Sequence, residues 1–273
     1  MYSPVPSYSL NIQGQLLDLQ MPRVVAIVNV TPDSFFGDSR CGQPEALLQR
    51  VQTALAQGAS IIDVGACSTR PGSTPVDEPT ELARLMPALE LLRKHFPDAL
   101  LSVDTFRASV AERAVAEFGV GMINDVSEGE ADVRMSDTVA RLQVPYVLTL
   151  STPQPSFEAG LRRLADKVAA LRRLGLNDVV CDPGFGFGKT DAENWTYLAR
   201  LSDLSLLETP LMVGLSRKSM ICRLLGVAPQ DALNGTTAAH MLALAGGASL
   251  LRVHDVRAAV ECIKIHNACN LAQ

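Results

Sequence analysis

At 273 residues, with 47% hydrophobic residues and a net charge of −5, the chain is long enough for one large α/β domain and too acidic to hold nucleic acid by bulk electrostatics. Its six cysteines (Cys41, Cys67, Cys181, Cys222, Cys262, Cys269) include no C-x-x-C pair, so they read as reduced small hydrophobes of a cytoplasmic protein rather than a zinc site. No stretch is apolar enough to span a membrane, and the first ten residues lack the basic start and apolar run of a signal peptide, so no membrane partner is expected.

The opening Met1–Met21, with Asn11-Ile-Gln-Gly14 as its turn, reads as a short hairpin. Eight short apolar runs come next, each closed by a polar or glycine-rich segment: Val24–Asn29, Ser60–Gly65, Ala99–Asp104, Gly121–Asp125, Val144–Leu150, Asn177–Asp182, Pro210–Leu215 and Ala248–Val253. The segments between them have helical spacing. Leu47, Leu48, Val51 and Leu55 form one stripe, and Val110, Ala114, Val115 and Phe118 another, while Gly58 and Gly175 sit where left-handed helix caps are needed. Near-continuous apolar strands alternating with helices imply a parallel sheet covered by helices. Eight such units, with no linker dividing 1–273, predict a single-domain (β/α)₈ barrel whose floor the opening hairpin closes.

Polar residues gather at the strand ends. Asn29, Asp104, Asn124 and Asp182 close or nearly close four predicted strands, and Ser216, Lys218 and His254 come just after two more. A lone Asn or Asp there often does no more than begin a turn or cap a helix. A barrel, however, brings all these ends to one face, where barrel enzymes carry their sites. The sixth strand runs into Asp182-Pro-Gly-Phe-Gly-Phe-Gly-Lys-Thr190, which resembles the second half of a phosphate-binding P-loop. The first glycine that such a loop needs falls on Pro183, and alternation of Gly184, Gly186 and Gly188 also fails the dinucleotide fingerprint. The reading that remains is a strand-end carboxylate, Asp182, leading into a tight glycine turn.

Seven strings in order carry a resemblance: Asn29-Val-Thr-Pro-Asp-Ser34, Ser68-Thr-Arg-Pro-Gly72, Val103-Asp-Thr105, Ile123-Asn-Asp125, Asp182-Pro-Gly-Phe-Gly-Phe187, Ser216-Arg-Lys-Ser219 and Arg252-Val-His254. From about Val24 to the C-terminus the chain resembles the dihydropteroate synthase family, pterin-binding TIM barrels of folate biosynthesis. The resemblance implies condensation of 6-hydroxymethyl-7,8-dihydropterin pyrophosphate with p-aminobenzoate, with release of pyrophosphate, a requirement for Mg²⁺, and a homodimer formed through late helices. It places Asp104, Asn124, Asp182 and Lys218 in the pterin pocket, and Asn29, Arg252 and His254 at the pyrophosphate. Asn29 is also implied as a Mg²⁺ ligand, and Thr69, Arg70, Pro71, Phe187, Lys218 and Ser219 as the p-aminobenzoate site. Asp104, Asp182, Lys218 and Arg252 are the implied catalytic set.

The side-chain chemistry agrees. A pterin edge presents adjacent N–H donors, which a carboxylate accepts in parallel, while an Asn serves donors and acceptors alike. Arg252 and His254, together with Arg70, Lys189, Arg217 and Lys218, are expected to gather positive charge at the barrel face, so the acidic balance is no objection to a diphosphate substrate. Two positions depart from the family pattern. Gly65-Ala66-Cys67 stands where Gly-Gly-Glu is usual, and Thr149-Leu150 where Met-His is usual. A pterin-dependent methyltransferase on the same barrel, and a catalytically silent pterin-binding relative, are the alternative readings.

Overall fold

The computed structural model describes residues 8–30, 43–67 and 76–271. Strand β1 (Ser9–Ile12) pairs antiparallel with β2 (Gln15–Asp18), and the turn residues Gln13 and Gly14 lie at φ 55° and 79°, the pair of left-handed conformations a two-residue hairpin favours. The Asn11 side chain closes the turn by accepting from the Gly14 N–H at 2.9 Å.

Strands and helices then alternate: β3 (Arg23–Asn29), α1 (Gln43–Ala56), β4 (Ile61–Gly65), α2 (Glu78–His95), β5 (Leu101–Asp104), α3 (Ala108–Phe118), β6 (Met122–Asp125), α4 (Met135–Leu142), β7 (Tyr146–Thr149) and α5 (Phe157–Arg173). The second part runs β8 (Val179–Asp182), α6 (Asp191–Ala199), β9 (Met212–Val213), α7 (Ser219–Leu225), α8 (Leu233–Ala245), β10 (Leu250–Val253) and α9 (Val256–Leu271). β3 to β10 form one parallel sheet in the order β9-β10-β3-β4-β5-β6-β7-β8. A bridge between Cys181 and Leu211, with the Cys181 N–H donating to the Pro210 carbonyl at 2.9 Å, joins its two edges and closes the expected (β/α)₈ barrel. Gly58 (φ 100°) and Gly175 (φ 87°) take the left-handed conformation their positions require.

Alternation along each strand sorts the core into two layers. Val24, Ala26 and Val28 of β3, like Ile62 and Val64 of β4, face outward into the cluster shared with the helices. Val25, Ile61, Met122, Val147, Val180, Met212 and Leu250 face inward and meet Leu10, Ile12 and Leu19. The hairpin segment therefore plugs the barrel floor with buried aliphatic side chains, each stabilising by about 2 kcal/mol. β3 begins one residue earlier than its apolar run and the other barrel strands one or two residues later, and the seventh barrel strand shrinks from Pro210–Leu215 to Met212–Val213. Pro210 has no N–H for a ladder, and the Leu215 carbonyl already accepts from Lys218 N–H at 3.2 Å in the next turn.

Candidate active site

Above that apolar floor the inward positions become polar. Continuing each inward row upward gives Asn29 on β3, Asp63 and Gly65 on β4, Asp104 on β5, Asn124 on β6, Thr149 on β7, Asp182 on β8 and Arg252 on β10. Asp63, Asp104, Asn124, Thr149 and Asp182 are all buried. Burial of so many polar side chains costs stability unless they pair or meet a ligand.

Four of them pair. Arg252 donates through Nε to Asp63 Oδ2 at 2.7 Å and through a terminal nitrogen to Asp104 Oδ2 at 2.6 Å, and Asn124 Nδ2 donates to Asp63 Oδ2 at 3.1 Å. One guanidinium thus faces two carboxylates. Burial lifts the Asp104 carboxyl to about 7 despite the pull of Arg252, and Asp63 adds to the rise. For Arg252 burial acts against the charge, but Asp63 and Asp104 outweigh it and hold the guanidinium more firmly protonated than usual. Asp63 Oδ1, Asp104 Oδ1 and Asn124 Oδ1 are left buried with no hydrogen-bond partner among the described residues. Sequence reasoning missed Asp63. Its signal is an aspartate inside the apolar run Ile61-Ile-Asp-Val64, a position that a core strand does not need to be charged.

Asp182 ends β8 and accepts the Gly184 N–H at 2.7 Å. Gly184, Gly186 and Gly188 all lie at positive φ, and a Cβ at Gly184 would overlap the Leu150 carbonyl. Several of the loop's N–H groups are spent inside the protein: Gly184 donates to Asp182, Gly186 to Asn194 Oδ1 at 2.8 Å and Phe187 to the Gly184 carbonyl at 3.1 Å, which is unlike a phosphate cradle whose N–H groups converge on a ligand. Thr190 caps α6 in a reciprocal arrangement with Glu193. Burial raises the Asp182 carboxyl, with the Gly184 bond and Lys218 opposing the rise. Burial also lowers Lys218 to about 8, Asp182 opposing it, and the Lys218 ammonium stands 4.8 Å over the Phe187 ring.

The remaining expected residues divide. Asn29 and Asp104 flank Gly65 in register, and a Cβ at Gly65 would stand 3.3 Å from Asn29 Oδ1 and 3.4 Å from the Asp104 Cβ, so glycine keeps this corner open. His254 comes directly after β10 and donates its main-chain N–H to Ser216 Oγ at 3.2 Å. Burial, then Arg50, lowers its ring to about 4, so it is a neutral hydrogen-bonding group and not a cation. Ser219 opens α7 and is exposed. Thr69, Arg70 and Pro71, with the Thr31–Ser34 and Ser68–Gly72 strings, lie outside the described residues.

Two side chains counted with the basic face serve the fold instead. Lys189 donates to the carbonyls of Leu150 (2.7 Å) and Gly184 (3.1 Å), stapling the glycine turn to the end of β7. Arg217 is neutralised by Asp255 at 2.8 and 2.9 Å and donates to the carbonyls of Pro229 and Gln230. Positive charge at the described mouth therefore comes from Lys218 and Arg252, while Lys189 and Arg217 pin loops. Of the departures, Cys67 is buried and free, and Leu150 lies in the outer apolar layer.

The family model for pterin binding enzymes matches residues 25–254. The dihydropteroate synthase of Escherichia coli (strain K12) is 37% identical over 271 residues, 94% of each chain. A Xanthomonas albilineans dihydropteroate synthase solved with 4-aminobenzoic acid is 40% identical with a TM-score of 0.89, over 97% of this chain and 99% of that one. One from the same organism in complex with 7,8-dihydropteroate is 36% identical with a TM-score of 0.83, over 98% of this chain and 99% of that one.

Proposed function

This chain belongs to the family of pterin binding enzymes, and we propose that its site runs the dihydropteroate synthase reaction, joining 6-hydroxymethyl-7,8-dihydropterin pyrophosphate to p-aminobenzoate. It is a transferase of folate synthesis. The observation that carries the site assignment is the set of orphaned acceptors, Asp104 Oδ1 and Asn124 Oδ1, beside the Asp182 carboxylate in a buried barrel mouth. Buried acceptors without donors suit a flat ligand whose edge is rich in N–H groups.

In this reading Asp182 and Asn124 accept from the pterin edge, and Lys218 donates to a ring oxygen or nitrogen while its stem and Phe187 flank the second substrate. The bond between the pterin methylene carbon and the diphosphate oxygen breaks first. Asp104 and Asp182 stabilise the resonance-delocalised pterin cation that results, and the p-aminobenzoate amine closes the new C–N bond and loses a proton. Arg252 has one terminal nitrogen not engaged by Asp63 or Asp104, which with neutral His254 donates to the leaving diphosphate.

Mg²⁺ fits the donor set. Mg²⁺ takes oxygen ligands, keeps several waters and leans on substrate phosphates, so a single protein oxygen at the open corner by Gly65 is sufficient. Asn29 Oδ1 would supply it, standing at that corner 3.3 Å from where a Gly65 Cβ would lie. When bound, the ion neutralises charge on the departing diphosphate. A homodimer is supported by Leu224, Leu225, Leu233 and Leu242, exposed apolar side chains on α7 and α8.

The test is pyrophosphate release by the purified chain. Release that requires both substrates and Mg²⁺ supports the synthase; no release, or methyl transfer from methyltetrahydrofolate to a corrinoid protein, rejects it.

A further inference from the structure

We infer that Asp63 is a positioning residue for the pterin: by accepting from both Asn124 and Arg252 it fixes which end of the Asn124 amide meets the substrate. The inference rests on the reading of the barrel mouth as a pterin site, and it adds a residue that does not itself touch the ligand.

Asp63 lies in the middle of β4, fully buried. Its Oδ2 receives two N–H groups, Arg252 Nε at 2.7 Å and Asn124 Nδ2 at 3.1 Å. With two N–H groups directed at it, Oδ2 is the acceptor in both contacts. Asn124 must therefore turn its Nδ2 toward Asp63, which leaves Oδ1 with no described partner. Flipping the amide would set two acceptor oxygens against each other away from water, an arrangement with no compensating bond.

The consequence is selectivity. An unconstrained Asn offers a donor or an acceptor as the ligand demands, but Asn124 beside Asp63 presents its oxygen. Together with the Asp182 carboxylate, and with Asp104 Oδ1 when that carboxyl is ionised, this makes the pocket wall a row of acceptors, complementary to a ring edge of N–H donors and poorly matched to one of lone pairs. Asp63 does this from a distance through one continuous chain of hydrogen bonds. The chain runs from Asn124 on β6 to Asp63 on β4, to Arg252 on β10 and on to Asp104 on β5. Because each member sits on a strand of the closed barrel, the register of the sheet fixes their separation.

A carboxylate whose only task was to balance Arg252 would look similar, and the choice of substitution separates the two. Asn at position 63 keeps an oxygen able to accept from both N–H groups but carries no charge, whereas Ala keeps neither. Calorimetric titration of the full chain with 6-hydroxymethylpterin is compared for the parent, Asp63→Ala and Asp63→Asn, alongside the KM for p-aminobenzoate. Expected are an affinity loss of about tenfold or more in Asp63→Ala, rescue to within about threefold of the parent in Asp63→Asn, and an unchanged KM for p-aminobenzoate. Circular dichroism checks the fold; should Asp63→Ala not fold, Asp63→Ser, too short to reach both N–H groups, takes its place. Equal losses in Asp63→Asn and the truncated variant, or no loss in either, overturn the inference while leaving the functional reading intact. A parent protein that binds no pterin overturns the functional reading itself, and the inference with it.

Discussion

Replacing Arg252 by alanine removes the one cation between two buried carboxylates, and the cost is readable from the geometry. Asp63 and Asp104 lie 2.7 and 2.6 Å from the guanidinium and are 0% and 3% exposed. Breaking a buried ion pair by deleting one partner costs about 3–5 kcal/mol, because the charge left behind has neither water nor a counter-charge. For a chain of this size that corresponds to a fall in Tm on the order of 10 °C. The penalty depends on pH with a definite sign. Burial already lifts Asp104 from 3.8 to about 7, and loss of Arg252, the main influence holding it down, raises it further. A carboxyl with a folded pKa above its unfolded value contributes stability that is fully present below the unfolded value and is lost as pH rises through the folded one. Arg252→Ala should therefore lose more at pH 8 than at pH 5, measured by thermal denaturation monitored by circular dichroism against the parent at each pH. An unchanged Tm at pH 8, or a larger loss at pH 5, would refute the account of the Asp63–Arg252–Asp104 cluster.

Lys218→Gln should lower pterin affinity and raise the KM for p-aminobenzoate together, each by about tenfold, with the fold intact; normal values for both would remove Lys218 from either pocket. Gly184→Ala forces a Cβ at φ 70° into the Leu150 carbonyl and should cost about 2 kcal/mol or more in chemical denaturation, and a neutral result would mean that the turn after Asp182 is not held as described. Asn29→Ala should weaken binding of the pterin pyrophosphate, in Mg²⁺, far more than binding of the corresponding alcohol, and chelation of Mg²⁺ should remove that difference between parent and variant. Equal losses for the two ligands would remove Asn29 from the diphosphate end.

The barrel was legible because its signal is repeated. The barrel strands other than β5 carry apolar residues on both faces, and Asn29, Asp104, Asn124 and Asp182 fall where the inward row meets the mouth. Helix caps at Gly58 and Gly175 were legible for a local reason, a left-handed turn that glycine adopts without strain. What local patterns do not encode is pairing at long range. Asp63 and Arg252 are 189 residues apart, and only closure of the sheet, with β10 beside β3 and β3 beside β4, makes them neighbours. The same applies to Arg217, which reads as an exposed cation beside Lys218 until the turn after β10 brings Asp255 to it. Lys189 looked like the lysine of a phosphate loop because its neighbours are Gly188 and Thr190, yet its partners are backbone carbonyls, one of them 39 residues earlier. Charge type was readable from sequence in these cases; whether that charge was free for a ligand was not.

The most direct test of the central claim, that the polar interior of this barrel mouth is a pterin site, is calorimetric titration of 6-hydroxymethylpterin into the parent protein, Asp182→Ala and Asn124→Ala, each checked for native circular dichroism. Each substitution strands ligand donors in a buried pocket, at a cost of about 1–3 kcal/mol for a neutral hydrogen bond and more beside charge. The account predicts measurable binding by the parent and its loss in both variants. Unchanged affinity in both folded variants would contradict it.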